Sequence, residues 1–463
     1  MKKYLVLLGA ALLVMAVATP SMAQFKSWGH MEIATQWISK QDFNNGSGTA
    51  ATTDDNRDLN QKWIAERFRY YLQYGDPKTV RAVIGFEADS NNWGEDRWRF
   101  AEAPGTTTEL TPTGRMGTHG ADQAQLEIKH AFLEFVIPTT PLTVTAGIQF
   151  YGIAGRLFQS KDDPGLTVTA NFAPHTIKAF WWRERDQQGS PSYSTYNVND
   201  SYGLSWDMTK QLFNVYAFGV YKNDLDGVTH STYADHPWWV GVGGGFRPGN
   251  LALSGNFIYN GGKRESLVSG VSDIDYKGWL IDAMAKYKIG PGLAVALEGY
   301  YASGDDADKS NEFGEYTYPA GSEATYAFGN DRSIFFFYNA DFMYYAGKQL
   351  YAAGLWYGRL NVEYNPTPWV NLNFNYLYIG DTSKGTPGGT KVVNAISSPT
   401  TARQDKDEDY VGSELNAIAK IKIYEGLYYN IGFGYFLPGD VYDSSTKSAD
   451  SAWSLLTCLR YFF

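Results

Sequence analysis

The segment Val370-Asn371-Leu372-Asn373-Phe374-Asn375-Tyr376 alternates apolar residues with asparagine at every step. A two-residue period describes a strand with one apolar face and one polar face. The same period recurs down the chain in segments of about ten residues, each bounded by turn residues, as in the strands of a membrane barrel. In 293–301 the odd positions are apolar and Glu298 faces the other way; Ala419-Lys420-Ile421-Lys422-Ile423 repeats the pattern with lysine. Beyond the N-terminus no apolar run approaches the ~18 residues of a membrane-spanning helix.

The connectors separate into two kinds. Short ones hold Gly75-Asp76-Pro77, Pro138-Thr139-Thr140, Ala173-Pro174, Arg247-Pro248-Gly249-Asn250, Ile289-Gly290-Pro291-Gly292, Pro366-Thr367-Pro368 and Tyr424-Glu425-Gly426, residues suited to tight hairpins. Long ones cover about 39–60, 91–122, 151–164, 184–199, 222–236, 261–273, 304–351, 381–409 and 437–450. A soluble sandwich has no reason to segregate loop lengths this way, whereas an outer-membrane barrel pairs short periplasmic turns with long external loops. The expected fold is therefore all-β: a transmembrane antiparallel up-and-down barrel of about 18 strands, or 16 if 165–172 forms none. Residues 334–345, IFFFYNADFMYY, read either as a strand or as an aromatic part of a loop over the mouth.

The first 23 residues have the pattern of a secretory signal: Lys2 and Lys3, an apolar core, and Ser21-Met22-Ala23 at a cleavage point. The domain division is then 1–23 signal peptide and 24–463 one barrel, exported to the outer membrane of a Gram-negative cell. Losing two lysines would move the formal charge from −10 to −12, which disfavours a nucleic-acid partner. The 48 glycines, 34 tyrosines, 26 phenylalanines and 14 tryptophans suit one large β-structure, and the lone Cys458 permits neither an internal disulfide nor a cysteine metal cluster.

Assigning the apolar parity to lipid turns Arg67 and Arg69 into the lumen, with Ile64, Phe68, Tyr70 and Leu72 outside. By the same parity Arg81, Glu87 and Asp89 point inward on the next strand, and Glu127 and Lys129 on the fourth. In YGIAGRLFQSKDDPG (151–165), the third external loop by count, Arg156, Lys161, Asp162 and Asp163 are candidates for a gating segment opposing a basic wall of Arg67, Arg69 and Arg81. Mutually neutralising wall residues without influence on traffic are the alternative. Trp63, Trp93, Trp98, Trp181, Trp182, Trp238, Trp239, Trp279, Trp369 and Trp453 fall near strand ends, where interfacial girdles favour Trp; stacking on sugars inside the pore is the competing reading.

Catalytic patterns are missing. The six histidines form no HExxH, there is no G-x-S-x-G, and Gly152-Ile153-Ala154-Gly155 lacks the K-[ST] of a phosphate loop. Asp305-Asp306-Ala307-Asp308 lacks the spaced ligands and terminal Glu of an EF-hand loop; it and Asp405-Lys406-Asp407-Glu408-Asp409 read as external loops, with divalent bridges to lipopolysaccharide as their chemistry. No enzyme activity, cofactor or dedicated metal site is expected.

The block from Leu126 to Phe172, with LEIKHAFLEFVIP followed by LTVTAGIQFYGIAGRLFQSKDDPGLTVTANF, resembles the homotrimeric outer-membrane porins of Desulfovibrio-type bacteria. The segment from Trp63 to Gly94 resembles them too. The likeness implies a trimeric diffusion porin, although the central residues of 151–165 depart from the family. Tyr300-Tyr301-Ala302-Ser303-Gly304-Asp305-Asp306 is similar to a pattern in alginate-export-type barrels, which implies an alternative as a substrate-specific sugar or polysaccharide channel. The C-terminal Phe463 looks like the signal read by the barrel assembly machinery. The expected function is passive passage of small hydrophilic solutes and ions.

Overall fold

The computed structural model describes residues 25–39, 61–92, 126–186, 198–224, 233–305, 311–319, 332–335, 353–383, 409–442 and 448–463. The first half contributes β1 (Phe25–Ser39), β2 (Gln61–Asp76), β3 (Val80–Asn92), β4 (Glu127–Val136), β5 (Leu142–Ile153) and β6 (Gln159–Phe172). They are followed by β7 (His175–Asp186), β8 (Val198–Thr209), β9 (Phe213–Asp224), β10 (Tyr233–Phe246) and β11 (Leu251–Ser266). The second half adds β12 (Ile274–Tyr276), β13 (Gly278–Gly290), β14 (Leu293–Ala302), β15 (Glu312–Phe313), β16 (Leu355–Thr367) and β17 (Val370–Asp381). The last three are β18 (Tyr410–Tyr424), β19 (Leu427–Pro438) and β20 (Ala452–Phe462).

Eighteen of these strands form a closed antiparallel barrel, each paired with its neighbour in sequence, and β1 pairs with β20 to close it. The short β12 and β15 lie outside that cycle and pair with each other in parallel. Closure leaves no open sheet edge, the condition for exposing strands to lipid. The segment at 165–172 lies within β6, so the count is 18 rather than 16.

The alternation sets which side chains face in. Leu297 is 62% exposed while the adjacent Glu298 is 5%; Phe374 is 49% exposed between Asn373 at 3% and Asn375 at 4%. The lumen side carries the polar groups, and many of them bond to one another. Asn361 and Arg359 both donate to Asn375 Oδ1 at 2.9 Å, and Asn375 donates to Asn416 at 2.8 Å.

The same geometry corrects the tryptophan assignment. Trp181 and Trp182 are adjacent, as are Trp238 and Trp239, and adjacent strand residues take opposite faces. Trp182 and Trp239 are fully buried inside the barrel, while Trp238, Trp369 and Trp453 stand exposed on the outer surface. Trp93 and Trp98 lie outside the described residues. At the C-terminus, Phe463 exchanges backbone hydrogen bonds with Gly29 at 3.0 and 3.1 Å and its ring stacks on Phe68 and Tyr70.

Candidate functional site

The external loop expected at 151–164 is a continuation of two strands. Pairing of β5 with β4 stops at Ile148, and pairing of β6 with β7 starts at Gly165. Between them, residues 149–153 and 159–163 pair only with each other, closed by a single 3-10 turn at Ala154–Arg156. The hairpin thus leaves the wall and enters the lumen. Its tip needs a left-handed residue, which Gly155 supplies at φ 62°. Its departure needs Gly165, where a Cβ would fall 2.1 Å from Trp181 O and 2.3 Å from Tyr151 Oη. That space lets the Tyr151 hydroxyl donate to Trp181 O at 3.1 Å.

Aromatic contacts carry the tip across. Tyr151 meets Trp182 at 5.0 Å between ring centroids, and Phe158 meets Phe218 at 4.9 Å and Trp239 at 5.4 Å. Trp239 also receives the second inward segment: its Nε1 donates to Thr317 O at 2.8 Å. Thr317 in turn donates from its hydroxyl to Asn260 Oδ1 at 2.9 Å. Further along the same loop, Ser333 Oγ and the amides of Ile334 and Phe335 donate to the buried carboxylate of Glu414 at 2.6, 2.7 and 3.0 Å. The described part of 334–345, Ile334 and Phe335, is loop folded into the lumen; the rest lies outside the described residues.

The charged side chains run as a chain along β1–β6. Glu32 contacts Arg460 and lies 3.7 Å from Arg67. Glu87 takes Arg67 at 3.3 Å, Arg69 at 2.5 Å and Lys129 at 2.7 Å. Asp162 then takes Lys129 at 2.7 Å and His130 at 2.9 Å. Arg67, Arg69, Glu87 and Lys129 are therefore brought together as sequence parity expects, and Asp162 joins them from the hairpin. His130 was not expected, because strict alternation turns it away from Lys129. A register shift pairs Gly85 with His130 but Phe86 with Ile128, leaving Lys129 as an extra residue. A bulge of this kind re-aims side chains and breaks the parity from which the sequence is read.

Three expectations need correction. Asp162 belongs to a strand and bonds to the same basic wall it was expected to oppose, so charge is not split across the lumen by the hairpin. Lys161 and Asp163 pair with each other at 3.1 Å. Arg81 bonds Glu134 at 2.7 Å and Gln73 at 3.1 Å, six residues below Glu87 on β3 and hence ~20 Å from the Arg69 level. Glu127 lies in register with Glu87, on the same face of the sheet, at the exposed start of β4. Of Arg156, only the backbone in the turn is described, and the side chain of Asp89 lies outside the described residues.

The far wall holds basic groups the sequence reading missed. Arg359 Nε reaches Glu298 at 2.7 Å, Arg332 reaches the same carboxylate at 2.7 Å, and Tyr357 donates to it at 3.0 Å. The GRL and NDR contexts of Arg359 and Arg332 gave no loop-to-wall contact to follow. Between the walls lies a cavity of about 770 Å³. Arg67, Arg69, Arg247, Lys286, Arg332, Arg359 and Arg460 line it, against Glu32, Asp282 and Glu363. The lining of this cavity is thus net basic in a chain that is acidic as a whole.

Closed barrel, polar lumen and inward loops together define an outer-membrane porin type of architecture. The chain is similar to OpdK, an outer membrane protein of Pseudomonas aeruginosa (11% identity, 95% of this chain, 98% of that one, TM-score 0.52). It is also similar to OccAB1 of Acinetobacter baumannii (11%, 94% and 96%, TM-score 0.52) and to OccD3 of P. aeruginosa (10%, 94% and 91%, TM-score 0.51). At such identities the likeness is one of fold. No protein-family model matches the chain, and neither does any curated protein.

Proposed function

We propose that this protein is an outer-membrane porin, a passive diffusion channel for small hydrophilic solutes that favours anions over cations. The observation that carries the reading is the 770 Å³ cavity with seven cationic and three carboxylate side chains on its lining. A corridor of one sign raises the local concentration of the opposite ion, and its water-filled width keeps binding weak enough for release. The ion pairs with Glu32, Glu87 and Glu298 fix the arginine heads in place without cancelling their excess. The structural neighbour OpdK has also been solved with vanillate, a small aromatic carboxylate, which agrees with an anion-favouring lumen.

Three further parts of the reading rest on the sequence. The signal peptide ends near Ala23, Phe463 is the residue the assembly machinery recognises, and the barrel associates as a homotrimer in contact with lipopolysaccharide, as the likeness to Desulfovibrio-type porins implies. Reversal potentials in planar bilayers under a salt gradient test the central claim. Anion preference in the wild type is expected; cation preference would overturn it. Light scattering in detergent tests the trimer separately.

A further inference from the structure

The inward hairpin divides the lumen, and behind it lies a second cavity of about 290 Å³ between β5, β6, β7, β8 and β9. Its chemistry differs from that of the main cavity. Thr169, Lys178 and Ser205 stand in one row, directly paired across β6, β7 and β8, with Asp207 two residues along β8 from Ser205. All four line the cavity, and among the described residues none of these side chains makes a hydrogen bond or salt bridge. Phe180 and Phe218, both buried beneath the hairpin, supply apolar walls.

We propose that this alcove is a binding site for a single neutral sugar ring. An anion would need donors alone, and Asp207 repels it; a cation would need acceptors alone, and Lys178 repels it. Hydroxyl groups both donate and accept, and the row offers three N–H donors on Lys178, acceptors on Asp207, and two hydroxyls able to do either. Lys178 and Asp207 project from neighbouring strands without forming an ion pair, so a ligand bridging them carries its polar groups spread around a ring. The C–H faces of that ring suit Phe180 and Phe218. A volume of 290 Å³ is at the lower end for ligand pockets, the size of a monomer rather than a polymer. The site goes beyond diffusion through the main cavity and does not depend on which ions that cavity prefers.

Saturation-transfer NMR on the purified full-length barrel in detergent tests the site, with D-glucose and D-galactose as probes and leucine as a zwitterionic competitor class. Saturable transfer to at least one sugar is expected. Asp207→Asn and Lys178→Met should each weaken it about tenfold or more, the loss of a hydrogen bond to a charged group. Arg69→Gln, in the main cavity, should leave it unchanged. Heat-modified gel mobility of each variant verifies that the barrel is folded. Absence of saturable transfer to both sugars, retention of it in both alcove variants, or transfer to leucine alone overturns the proposal. Salt conductance of the same preparations reports independently on the channel reading.

Discussion

Two segments enter the lumen and are held there by different physics. The hairpin at 149–163 keeps its own ladder of backbone pairs and rests rings against Trp182, Phe218 and Trp239. The loop at 311–319 and 332–335 has only the short β12–β15 pairing and the Phe335–Phe436 stack beside its side-chain anchors: Asn260 and Trp239 hold Thr317, Glu298 holds Arg332, and Glu414 holds 333–335. A paired hairpin with an apolar seat has many weak contacts and no critical one. A loop whose donors converge on one buried carboxylate is the more sensitive to a single substitution. The hairpin is therefore expected to withstand a truncation of the kind that unseats the loop.

The sharpest break of that contrast is Glu414→Ala. It deserts Ser333 Oγ, two backbone amides and Asn416 Nδ2, which donates to the same carboxylate at 3.0 Å. Leaving such buried donors unpaired costs ~1–3 kcal/mol each. Single-channel recordings should show a higher mean conductance with frequent flicker, as the loop leaves its seat. Glu414→Gln, which keeps one acceptor oxygen, should lie between that variant and wild type. A wild-type trace from the alanine variant would mean that the anchor holds nothing.

The hairpin should resist comparable truncation of one ring. Phe158→Ala removes a fully buried side chain, for which core precedents give ~3–5 kcal/mol, yet the backbone ladder remains. A lower melting point in the gel-mobility assay is expected with little change in conductance. Gly165→Val is the stronger hairpin test, because its Cβ meets backbone at 2.1 Å and no side-chain motion relieves that. It should raise conductance as well as lower stability. If Phe158→Ala alone opens the channel, the hairpin is no more robust than the loop.

The contrast also explains what could be read from the sequence. Alternation reports a strand paired on both sides, so the barrel, its count and the inward Arg67, Arg69 and Glu87 were legible in it. The pattern continues unchanged where a hairpin leaves the wall, since 149–153 and 159–163 are still paired strands. Only the pairing partners differ, and partners are not written in one segment. The same holds for Trp182 and Trp239: their place near strand ends suggested a girdle, and nothing in the sequence showed that a hairpin would meet them in the lumen. Ser333 and Glu414 belong to a loop-to-wall contact spanning 81 positions, for which no periodicity exists.

Within the basic wall the expected effects are smaller. Removing one charge from a water-filled site changes the energy of an ion ~4 Å away by about 1 kcal/mol, roughly fivefold in local concentration. Arg69→Gln should shift the reversal potential toward cations at low salt, and Arg359→Gln should do the same from the opposite wall. Arg81→Gln, ~20 Å nearer the periplasmic turn and paired with Glu134, should shift it less. Salt shortens the Debye length to ~3 Å at 1 M and should shrink all three shifts. Equal shifts for Arg81 and Arg69 would move the selective level of the pore toward its periplasmic end.

The smallest expected effect belongs to pH and acts on the loop alone. Glu315 sits in the inward segment; burial first, and then the charges of Asp305 and Asp381, push its carboxyl up to about 7. A carboxyl raised in the folded state favours the seated loop below its ordinary value near 4.5, and that contribution is lost as pH rises through about 7. Above neutrality the ionised group faces two like charges within a partly dry seat. Flicker should therefore be rarer at pH 5 than at pH 8, with the change centred near 7. The assignment is checked by Glu315→Gln, which should remove the change while leaving hairpin contacts intact. Persistence of the full pH response in Glu315→Gln would place the titrating group elsewhere and leave the loop's seat independent of its own carboxyl.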